Sequence, residues 1–324
     1  MRALVIGAGA VGARAARQLA STDGVDVVVH DARASRAESV AASLGGSAQA
    51  TADPAAHDGI DVALVATPPG THVALATTFL RRGTPVVSTS DHLDDVRRLL
   101  DLDAEARERG VPVVAGAAFS PGLTCLLARH AASTLDRVDE IHVARAGTGG
   151  PACARQRHRA LGDTALDWRD GGWVRRPAGS GRELCWFPDP IGGRDCYRAA
   201  LPDALLLVAA FPGVDRVTAR LAANRRDRVT ARLPMLRRPH PDGGPGGVRV
   251  EVRGQRAGAR EIVVYGAMDV PGVAAGAVAA QAAVAAASGT VRAGAAGLAA
   301  TKDALALLQE LARRGVKAAA FQGG

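Results

Sequence analysis

The sequence predicts an α/β protein in which a doubly wound parallel sheet is followed by a second, α+β domain with a mixed sheet. The chain has 324 residues, which is more than one ordinary core holds. Over residues 1–110, short apolar runs alternate with helical patterns, as in a parallel sheet covered by helices. Beyond Gly116 this alternation stops, and strand-like and helical runs follow in mixed order. We therefore expect a domain boundary near residue 120.

The first domain is expected to alternate five strands with four helices. The strands are predicted at Arg2–Ile6, Val25–His30, Ile60–Thr67, Pro85–Ser88 and Val111–Ala115, and the helices at Val11–Ala20, Ser35–Leu44, Thr71–Arg82 and Asp94–Arg109. Ser120 can cap the next helix, with Pro121 in its first turn. That helix is expected to open the second domain and to run to about Ser133.

The second domain is expected to combine a mixed sheet with a long helix of small residues. Its strands are predicted at Glu140–Ala146, Val214–Ala222, Val248–Arg253 and Glu261–Met268, and its long helix at Pro271–Ala287. A last helix, Ala300–Arg314, has an apolar stripe of leucines that needs a partner surface. We expect it to return to the first domain, so the predicted division is 1–120, 121–290 and a returning segment 291–324.

The first strand is followed by Gly-Ala-Gly-Ala-Val-Gly, a G-x-G-x-x-G pattern that opens the first helix. In that setting Gly7 permits a tight turn, Gly9 lets the backbone approach a pyrophosphate, and Gly12 allows close packing of helix on strand. The free N–H groups at the helix start, around Ala10 and Val11, attract the phosphates. The pattern predicts a dinucleotide-binding Rossmann domain. The alternative is a glycine turn that binds no nucleotide.

The end of the second strand carries the residues that bear on cofactor choice. Asp31 lies 24 positions after Gly7, about where an acid binds the adenosine ribose diol and disfavours the 2′-phosphate of NADP. Arg33 and Arg36 follow, and arginine is the usual partner of that phosphate. The two signals conflict, and we expect NAD or NADP with NAD slightly favoured. Asp31 can alternatively be an ordinary turn residue.

Two further strand ends are candidates for cofactor contact. Thr67 and Pro68 end one predicted strand, and Ser88, Thr89 and Ser90 end the next. Ligands of such sheets bind outside the carboxyl ends of the strands. We expect the first pair beside the nicotinamide ribose and the three hydroxyl residues near the nicotinamide, although turn chemistry alone can explain both sets.

The composition restricts the partners. The net charge is +8, but the arginines are spread along the chain without interleaved aromatic residues, so no nucleic-acid partner is expected. No apolar run resembles a membrane span. The first residues run straight into the strand and glycine loop, and four cysteines are too few for a disulfide framework, so we expect a cytoplasmic protein. The spacings of Cys153, His158, Cys185 and Cys196 match no zinc pattern, and no metal is expected.

One segment of the second domain is suited to binding a small-molecule substrate. Arg155 and Arg157 can hold a carboxylate, and His158 exchanges a proton near neutral pH. Half of the ten aromatic residues follow shortly after, among them Trp186 and Tyr197. The functional hypothesis is an interdomain pocket with His158 as the acid or base and the other four residues as substrate ligands. The alternative is a packed hairpin with a solvated, arginine-rich turn.

Three segments carry a family resemblance: VVSTSDHLDDVRRLLDLDAEARERGVPVVAGAAFSPGLTCLLA at 86–128, GGWV at 171–174 and ELCWFPDP at 183–190. They are similar to the saccharopine dehydrogenase-like family, well over the first domain and loosely beyond it. The resemblance implies a nicotinamide-dependent enzyme that makes or oxidises C–N bonds of amino acids and related amines, with a mixed-sheet second domain and often a homodimer. Ser120 stands where saccharopine reductases carry an acid, and residues 147–159 map onto no characterised member.

A shorter stretch, ATPPGTHVALA at 66–76, also resembles sugar dehydrogenases of the glucose–fructose oxidoreductase type. Those enzymes place a lysine in an E-K-P motif after the fifth strand, where this chain reads Ser88-Thr89-Ser90. Neither Lys302 nor Lys317 lies near that place in the sequence. A lysine-based sugar dehydrogenase is therefore not expected.

The sequence thus predicts an NAD(P)-dependent oxidoreductase that transfers hydride to or from a C–N centre of an amino acid or related small anionic metabolite. The competing hypothesis is a non-catalytic NAD(P)-binding sensor or scaffold. The glycine loop supports both, whereas the aromatic and Arg/His segment favours the enzyme, because a sensor needs no second pocket.

Overall fold

The computed structural model describes residues 1–46, 48–235 and 238–321. The first domain alternates strands and helices as expected. Its elements are β1 (Arg2–Ile6), α1 (Ala10–Ala20), β2 (Asp26–His30), α2 (Ala34–Leu44), β3 (Ala48–Ala50), β4 (Val62–Val65), α3 (His72–Arg81), β5 (Val86–Ser88), α4 (Leu93–Leu100), α5 (Asp103–Glu108) and β6 (Pro112–Val114). The helix predicted at Asp94–Arg109 is divided into two by a turn at residues 101–102, and the side chain of Asp103, at the start of the second helix, accepts a hydrogen bond from the amide of Ala295 in a returning strand.

The second domain contains more elements than the sequence indicated. They are α6 (Leu123–Ala132), β7 (Arg137–Ala146), α7 (Pro151–Ala160), β8 (Thr164–Arg169), β9 (Gly172–Pro177), β10 (Glu183–Phe187), β11 (Gly192–Arg198), α8 (Asp203–Ala210), β12 (Arg216–Ala222), α9 (Arg225–Thr230), β13 (Gly246–Arg256) and β14 (Ala259–Asp269). The chain ends with α10 (Pro271–Ala287), β15 (Gly294–Ala296), α11 (Ala304–Arg313) and β16 (Lys317–Phe321).

The first sheet is parallel throughout the described residues, with strand order β15-β6-β5-β4-β1-β2-β3. The order reverses between β1 and β4, so their carboxyl ends flank the crevice where such sheets bind ligands. The strands are apolar and buried; Val62–Val65, for example, is fully inaccessible. The doubly wound parallel sheet predicted from the sequence is confirmed.

The second sheet is mixed, as predicted, and runs β10-β11-β12-β7-β13-β14-β16, with β8 and β9 attached beside β12. Strands β12 and β7 are parallel, and the other neighbours are antiparallel. Helices α6 and α8 cover one face and join it to the first domain in a continuous apolar core.

The chain returns to the first domain earlier than expected. Helix α10 packs on α1 and across β4 and β5, and β15 extends the first sheet by pairing with β6. Close packing of α10 on α1 needs small residues: a Cβ on Gly276 would lie 2.7 Å from the Cβ of Arg14. Helix α11 lies on α6 and α10, and β16 then crosses back to pair with β14. By packing and sheet membership, we propose that the first domain comprises residues 1–120 and about 271–300, and that the chain crosses three times rather than twice.

The start of α6 corrects another expectation. The helix begins at Leu123, and Gly122, with φ of 120°, is its N-cap. The hydroxyl of Ser120 caps nothing and instead donates to the carboxylate of Asp203 at 3.0 Å. Ser120 therefore belongs to a buried polar contact between α6 and α8.

No helix among the described residues is long and apolar enough to cross a membrane.

Candidate active site between the two domains

The three glycines of the first loop have different surroundings. Gly7 has φ of +105°, and a Cβ there would lie 2.5 Å from the carbonyl oxygen of Ala66. A Cβ on Gly12 would lie 1.7 Å from the carbonyl oxygen of Gly7. A Cβ on Gly9, by contrast, would meet no atom within 4 Å. The fold therefore requires Gly7 and Gly12, whereas Gly9 presents bare backbone to open space at the start of α1, as a pyrophosphate requires.

Asp31 lies beside this loop at the end of β2. One carboxylate oxygen accepts a hydrogen bond from the amide of Ala8 at 2.8 Å, and the other accepts from the amide of Arg33 at 2.9 Å. The side chains of Arg33 and Arg36 are exposed at the start of α2. Asp31 thus holds the glycine loop against β2 as well as lying where the adenosine ribose is expected. The preference for NAD over NADP stays a prediction.

A buried histidine joins the ends of β4 and β5. The Nε2 atom of His72 lies 2.8 Å from the carbonyl oxygen of Thr67, and its Nδ1 atom lies 2.9 Å from the hydroxyl of Ser88. A carbonyl can only accept, so Nε2 carries the proton and Nδ1 accepts from Ser88. Burial lowers the pKa of His72, which keeps the ring neutral in this tautomer.

A buried carboxylate makes a second link between the same two strand ends. Asp95 accepts from the amide of Gly70 at 3.0 Å and from the hydroxyl of Ser90 at 3.0 Å. The hydroxyl of Thr89 donates to the carbonyl of Val65 at 3.2 Å. These contacts hold the loop after β4 against the loop after β5.

The predicted cofactor ligands at these two strand ends are therefore partly engaged within the protein. Ser88 and Ser90 are buried, and their hydroxyls have internal partners, as the hydroxyl of Thr89 does. These internal hydrogen bonds occupy the protons of the three hydroxyls, and their contact with the nicotinamide stays a prediction. Thr67 is half-buried and shares its hydroxyl with Thr71, while Pro68 is exposed, so these two stay candidates for cofactor contact.

An arginine from the second domain reaches this crevice. Arg145, near the end of β7, is 8% exposed. Its Nη1 donates to the carboxylate of Asp91 at 3.1 Å and to the carbonyl of Ser120 at 2.7 Å. A buried cation is thus held between the loop after β5 and the start of α6. Its Nε is buried without a hydrogen-bond partner.

Other unpartnered polar atoms belong to residues close in the chain to Arg145 or Asp91, or to helix α7. The described residues contain six buried side-chain polar atoms without a partner, and four of them belong to Arg145, His92, Thr148 and Gln156. Cys153 lies one helical turn before Gln156, and burial raises the pKa of its thiol to about 11, so it stays neutral. Buried polar atoms normally find partners, so a cluster without them indicates a place for a ligand.

Helix α7 runs along this cluster, and the sequence had not predicted it. Gly150 caps it and Pro151 occupies its first turn. A Cβ on Gly150 would lie 2.5 Å from the Cβ of Ala10, so the helix starts against the glycine loop. The segment predicted as a pocket or a hairpin turn is therefore a helix that begins at the dinucleotide-binding loop.

The helix directs the predicted catalytic segment away from the cluster. The Nη2 of Arg157 donates to the carbonyl of Ala222 at 2.6 Å and to Asp227 at 3.0 Å. The Nε2 of His158 lies 2.8 Å from the carbonyl of Leu233, and Arg155 is exposed. With 3.6 residues per turn, a side chain two positions after Gln156 lies on the opposite face. Arg157 and His158 thus contact α9 and the loop that follows it, and a catalytic role for His158 lacks geometric support. A substrate-binding role for Arg155 stays a prediction.

The two predicted aromatic ligands also lie elsewhere. Trp186 is 61% exposed on the outer strand β10. Tyr197 is buried in an apolar cluster that includes Leu201 and Leu221, with the guanidinium of Arg228 lying 4.2 Å from its ring centroid. Their substrate-binding roles therefore lose the geometric basis that the sequence suggested.

A buried acid lies beside Ser120, although the sequence has none at that position. Asp203, on α8, is fully buried and accepts from the hydroxyls of Ser120 and Thr124, the latter at 2.7 Å. Burial raises the pKa of Asp203, while Arg145 and the two hydroxyls oppose that shift. Sequence reasoning missed this residue because it is about 80 positions from its partners.

Comparison with known proteins supports the reading of the first domain. Residues 1–116 match the GFO/IDH/MocA model, described as an oxidoreductase family with an NAD-binding Rossmann fold. The chain thus has the nucleotide domain of an NAD(P)-dependent oxidoreductase, and nothing in the comparisons favours a non-catalytic protein. A search of curated proteins finds no match.

Several solved structures share the fold across both domains. An apo saccharopine dehydrogenase (L-Glu forming) from Saccharomyces cerevisiae has a TM-score of 0.69 at 15% identity, covering 99% of this chain and 100% of that one. A C. glutamicum DAP dehydrogenase, solved with DAP, has a TM-score of 0.54 at 15% identity, covering 98% and 99%. An engineered D-amino acid dehydrogenase bound to NADP⁺ has a TM-score of 0.51 at 14% identity, covering 98% and 99%. At these identities the likeness shows a common fold.

Proposed function

We propose that the protein is an NAD(P)-dependent dehydrogenase or reductase that acts on a C–N bond of an amino acid or related small anionic metabolite. The observation that carries this proposal is the cluster around Arg145. In this cluster the buried guanidinium of Arg145, from the second domain, is paired with the carboxylate of Asp91, which follows β5 of the first domain. Unpartnered polar atoms of the second domain, on Thr148 and Gln156, belong to the same cluster. Of the similar enzymes named above, one is by its name a D-amino acid dehydrogenase and another forms L-Glu, which agrees with the proposal.

The dinucleotide supplies the hydride acceptor or donor. Gly9 and the first amides of α1 would hold its pyrophosphate, and Asp31 would bind its adenosine ribose. His72 and Asp95 keep the loops after β4 and β5 in one arrangement. A crevice that is ordered before binding loses little conformational entropy when the ligands arrive.

Arg145 orients the substrate. Its guanidinium is buried, so a carboxylate that reaches the free Nε forms a charge-assisted hydrogen bond away from water. Asp91 holds the guanidinium from the other side. The free Nε of Arg145 thereby attracts an acidic group of the substrate and sets the position of the reacting carbon.

His92 is the group best placed to exchange the proton that accompanies hydride transfer. Its Nδ1 is buried and has no partner, and its backbone amide donates to the hydroxyl of Ser90 at 3.2 Å, which ties it to the end of β5. The interconversion of an imine and an amine needs one proton besides the hydride. His92 replaces His158 in the role that the sequence suggested.

The proposal is tested by a screen of amino acids, imines and related amines that follows the absorbance of reduced nicotinamide with both NAD and NADP. Turnover with an anionic amine or imine is the expected result. His92→Gln should lower that turnover by about a hundredfold or more, whereas the matched change His158→Gln should leave it within about twofold. Turnover confined to neutral alcohols or sugars would refute the assignment to C–N chemistry.

The family resemblance also implies a homodimer, which sedimentation of the purified protein would check. A monomer at micromolar concentration would contradict that expectation without affecting the chemistry.

A further inference from the structure

A cavity of about 190 Å³ lies between the two domains, beyond Asp91. His92, Asp94 and Arg97 line it from the first domain, and Gln156, Arg159 and Arg175 line it from the second. At about 30 Å³ of liquid volume per water molecule, it holds roughly six waters or a ligand group of similar size. Neither the glycine loop nor Arg145 lines this cavity, but His92 and Gln156 belong both to it and to the cluster described above, so the cavity opens beside the place proposed for the reaction.

The charges around the cavity favour an anion. Three arginines line it, against the two aspartates Asp94 and Asp163. Arg97 is paired with Asp94 at 3.1 Å, and one oxygen of Asp163 accepts from the amide of Thr164 at 2.6 Å. Within the described ranges, Arg159 and Arg175 form no ion pair with any carboxylate. Two guanidinium groups are therefore left to meet an acidic ligand, which they can bind in a forked arrangement.

Two buried polar atoms on the inner wall of the cavity have no hydrogen-bond partner. The Oε1 of Gln156 and the Nδ1 of His92 are both buried without a hydrogen bond. Gln156 is only 4% exposed. These atoms are independent of the arginine charges, and they indicate that a polar ligand completes the wall.

Helix α7 sets the order of the sites along the crevice. It starts at Gly150 against the glycine loop, passes the Arg145 cluster at Cys153, and reaches the cavity at Gln156 and Arg159. Ten helical residues span about 15 Å at 1.5 Å each. The cavity thus lies toward the end of α7 that is farther from the glycine loop.

We propose that this cavity binds an acidic group at the far end of the substrate, so that the substrate is an amino acid or imine with a second negative charge. This inference rests on the proposed function, because it takes the Arg145 cluster as the place of reaction. One acidic group meets Arg145, and the distal carboxylate or phosphate meets Arg159 and Arg175.

Glutarate, pentanoate and inorganic phosphate serve as probes in isothermal titration of the protein saturated with reduced dinucleotide. Glutarate has two carboxylates and pentanoate has one on a chain of the same length. We expect glutarate to bind at least about tenfold more tightly than pentanoate at equal ionic strength, the gain of one charge-assisted contact. Phosphate binding more tightly than glutarate would identify the distal group as a phosphate and would also support the cavity assignment.

The double variant Arg159→Gln/Arg175→Gln should reduce the preference for glutarate to within about twofold. Its control is Arg169→Gln, which removes an exposed arginine paired only with the neighbouring Asp170 and should leave the preference unchanged. Equal binding of glutarate, phosphate and pentanoate to the unmodified protein, or a preference that survives the double variant, would overturn the inference. Dinucleotide binding to the unmodified protein is measured first, and the anion titrations are repeated without dinucleotide. A protein that binds neither NADH nor NADPH but still prefers glutarate would refute the proposed function and leave the anion site standing.

Discussion

Alanine substitutions at Gly9 and Gly12 should separate what the glycine loop does for the fold from what it does for the cofactor. Gly9 has φ of −78° and ψ of −168°, a conformation that alanine adopts readily, and its Cβ would meet open space. Gly9→Ala should therefore change the free energy of unfolding by no more than about 0.5 kcal/mol. The added methyl group occupies the side from which a phosphate approaches the backbone. Losing one charge-assisted hydrogen bond of about 1.5–3 kcal/mol would weaken dinucleotide binding by roughly 10–150-fold.

Gly12→Ala, unlike Gly9→Ala, should lower the stability of the fold itself. Its Cβ would lie 1.7 Å from the carbonyl oxygen of Gly7 and 3.2 Å from the Cβ of Ala66. Gly7 is held in place, because its amide donates to the carbonyl of His30 at 2.7 Å. We expect a loss of about 3 kcal/mol or more in unfolding free energy, at the upper end of overpacking costs.

Both substitutions are assayed by thermal unfolding with and without NADH or NADPH. In the absence of cofactor, the Gly9 variant should have the same Tm as the unmodified protein. Adding cofactor should raise the Tm of the unmodified protein but not that of the variant. The Gly12 variant should melt several degrees lower without cofactor. A Gly9 variant that binds dinucleotide normally would refute the assignment of this loop to the pyrophosphate, whatever its stability.

Three further predictions concern the crevice. Arg145→Met should lower kcat/KM by roughly 10–150-fold, the value of one charge-assisted hydrogen bond, and leave the dinucleotide Kd within about threefold; partial recovery in Arg145→Lys separates charge from packing. Because burial lowers the pKa of His72, the unfolded chain binds this proton more tightly, and stability should fall as the pH drops below about 6.5. The free energy of unfolding, measured with denaturant, should fall less between pH 7.5 and pH 5.5 in His72→Gln than in the unmodified protein. An equal fall in both proteins would contradict a buried, neutral His72 ring. NAD should bind more tightly than NADP, and Asp31→Ala should reduce the ratio of the two dissociation constants. A preference for NADP would show that Arg33 and Arg36 outweigh Asp31 in the choice of cofactor.

The first domain could be predicted because each of its elements is encoded locally. Apolar runs alternate with helical periodicity, and the glycine loop marks one junction between strand and helix by its own conformational needs. Helix α10 matched its predicted bounds, since Pro271 opens it and small residues continue through to its end. What the local pattern did not contain was the return of β15 to the first sheet. Three residues, Gly294–Ala296, pair with β6 across about 180 positions, and three residues carry no periodicity.

The candidate site was harder to predict because its members come from separate elements. Arg145, Asp91 and Ser120 meet only when β7 is placed beside the end of β5 and the start of α6. The segment with Arg157 and His158 suited catalysis by composition alone. Its helical phase turned those side chains toward α9 and the loop that follows, and left the less conspicuous Cys153 and Gln156 at the cluster.

A crystal structure with reduced dinucleotide would show directly whether the interdomain crevice holds the nicotinamide. We expect the pyrophosphate against Gly9 and the nicotinamide in the crevice bounded by the loop after β5, Arg145 and Cys153, with His92 within one water of the reacting face. A nicotinamide placed instead on the far side of α7, beside His158 and Asp227, would contradict the proposed site and would restore the residues first suggested by the sequence.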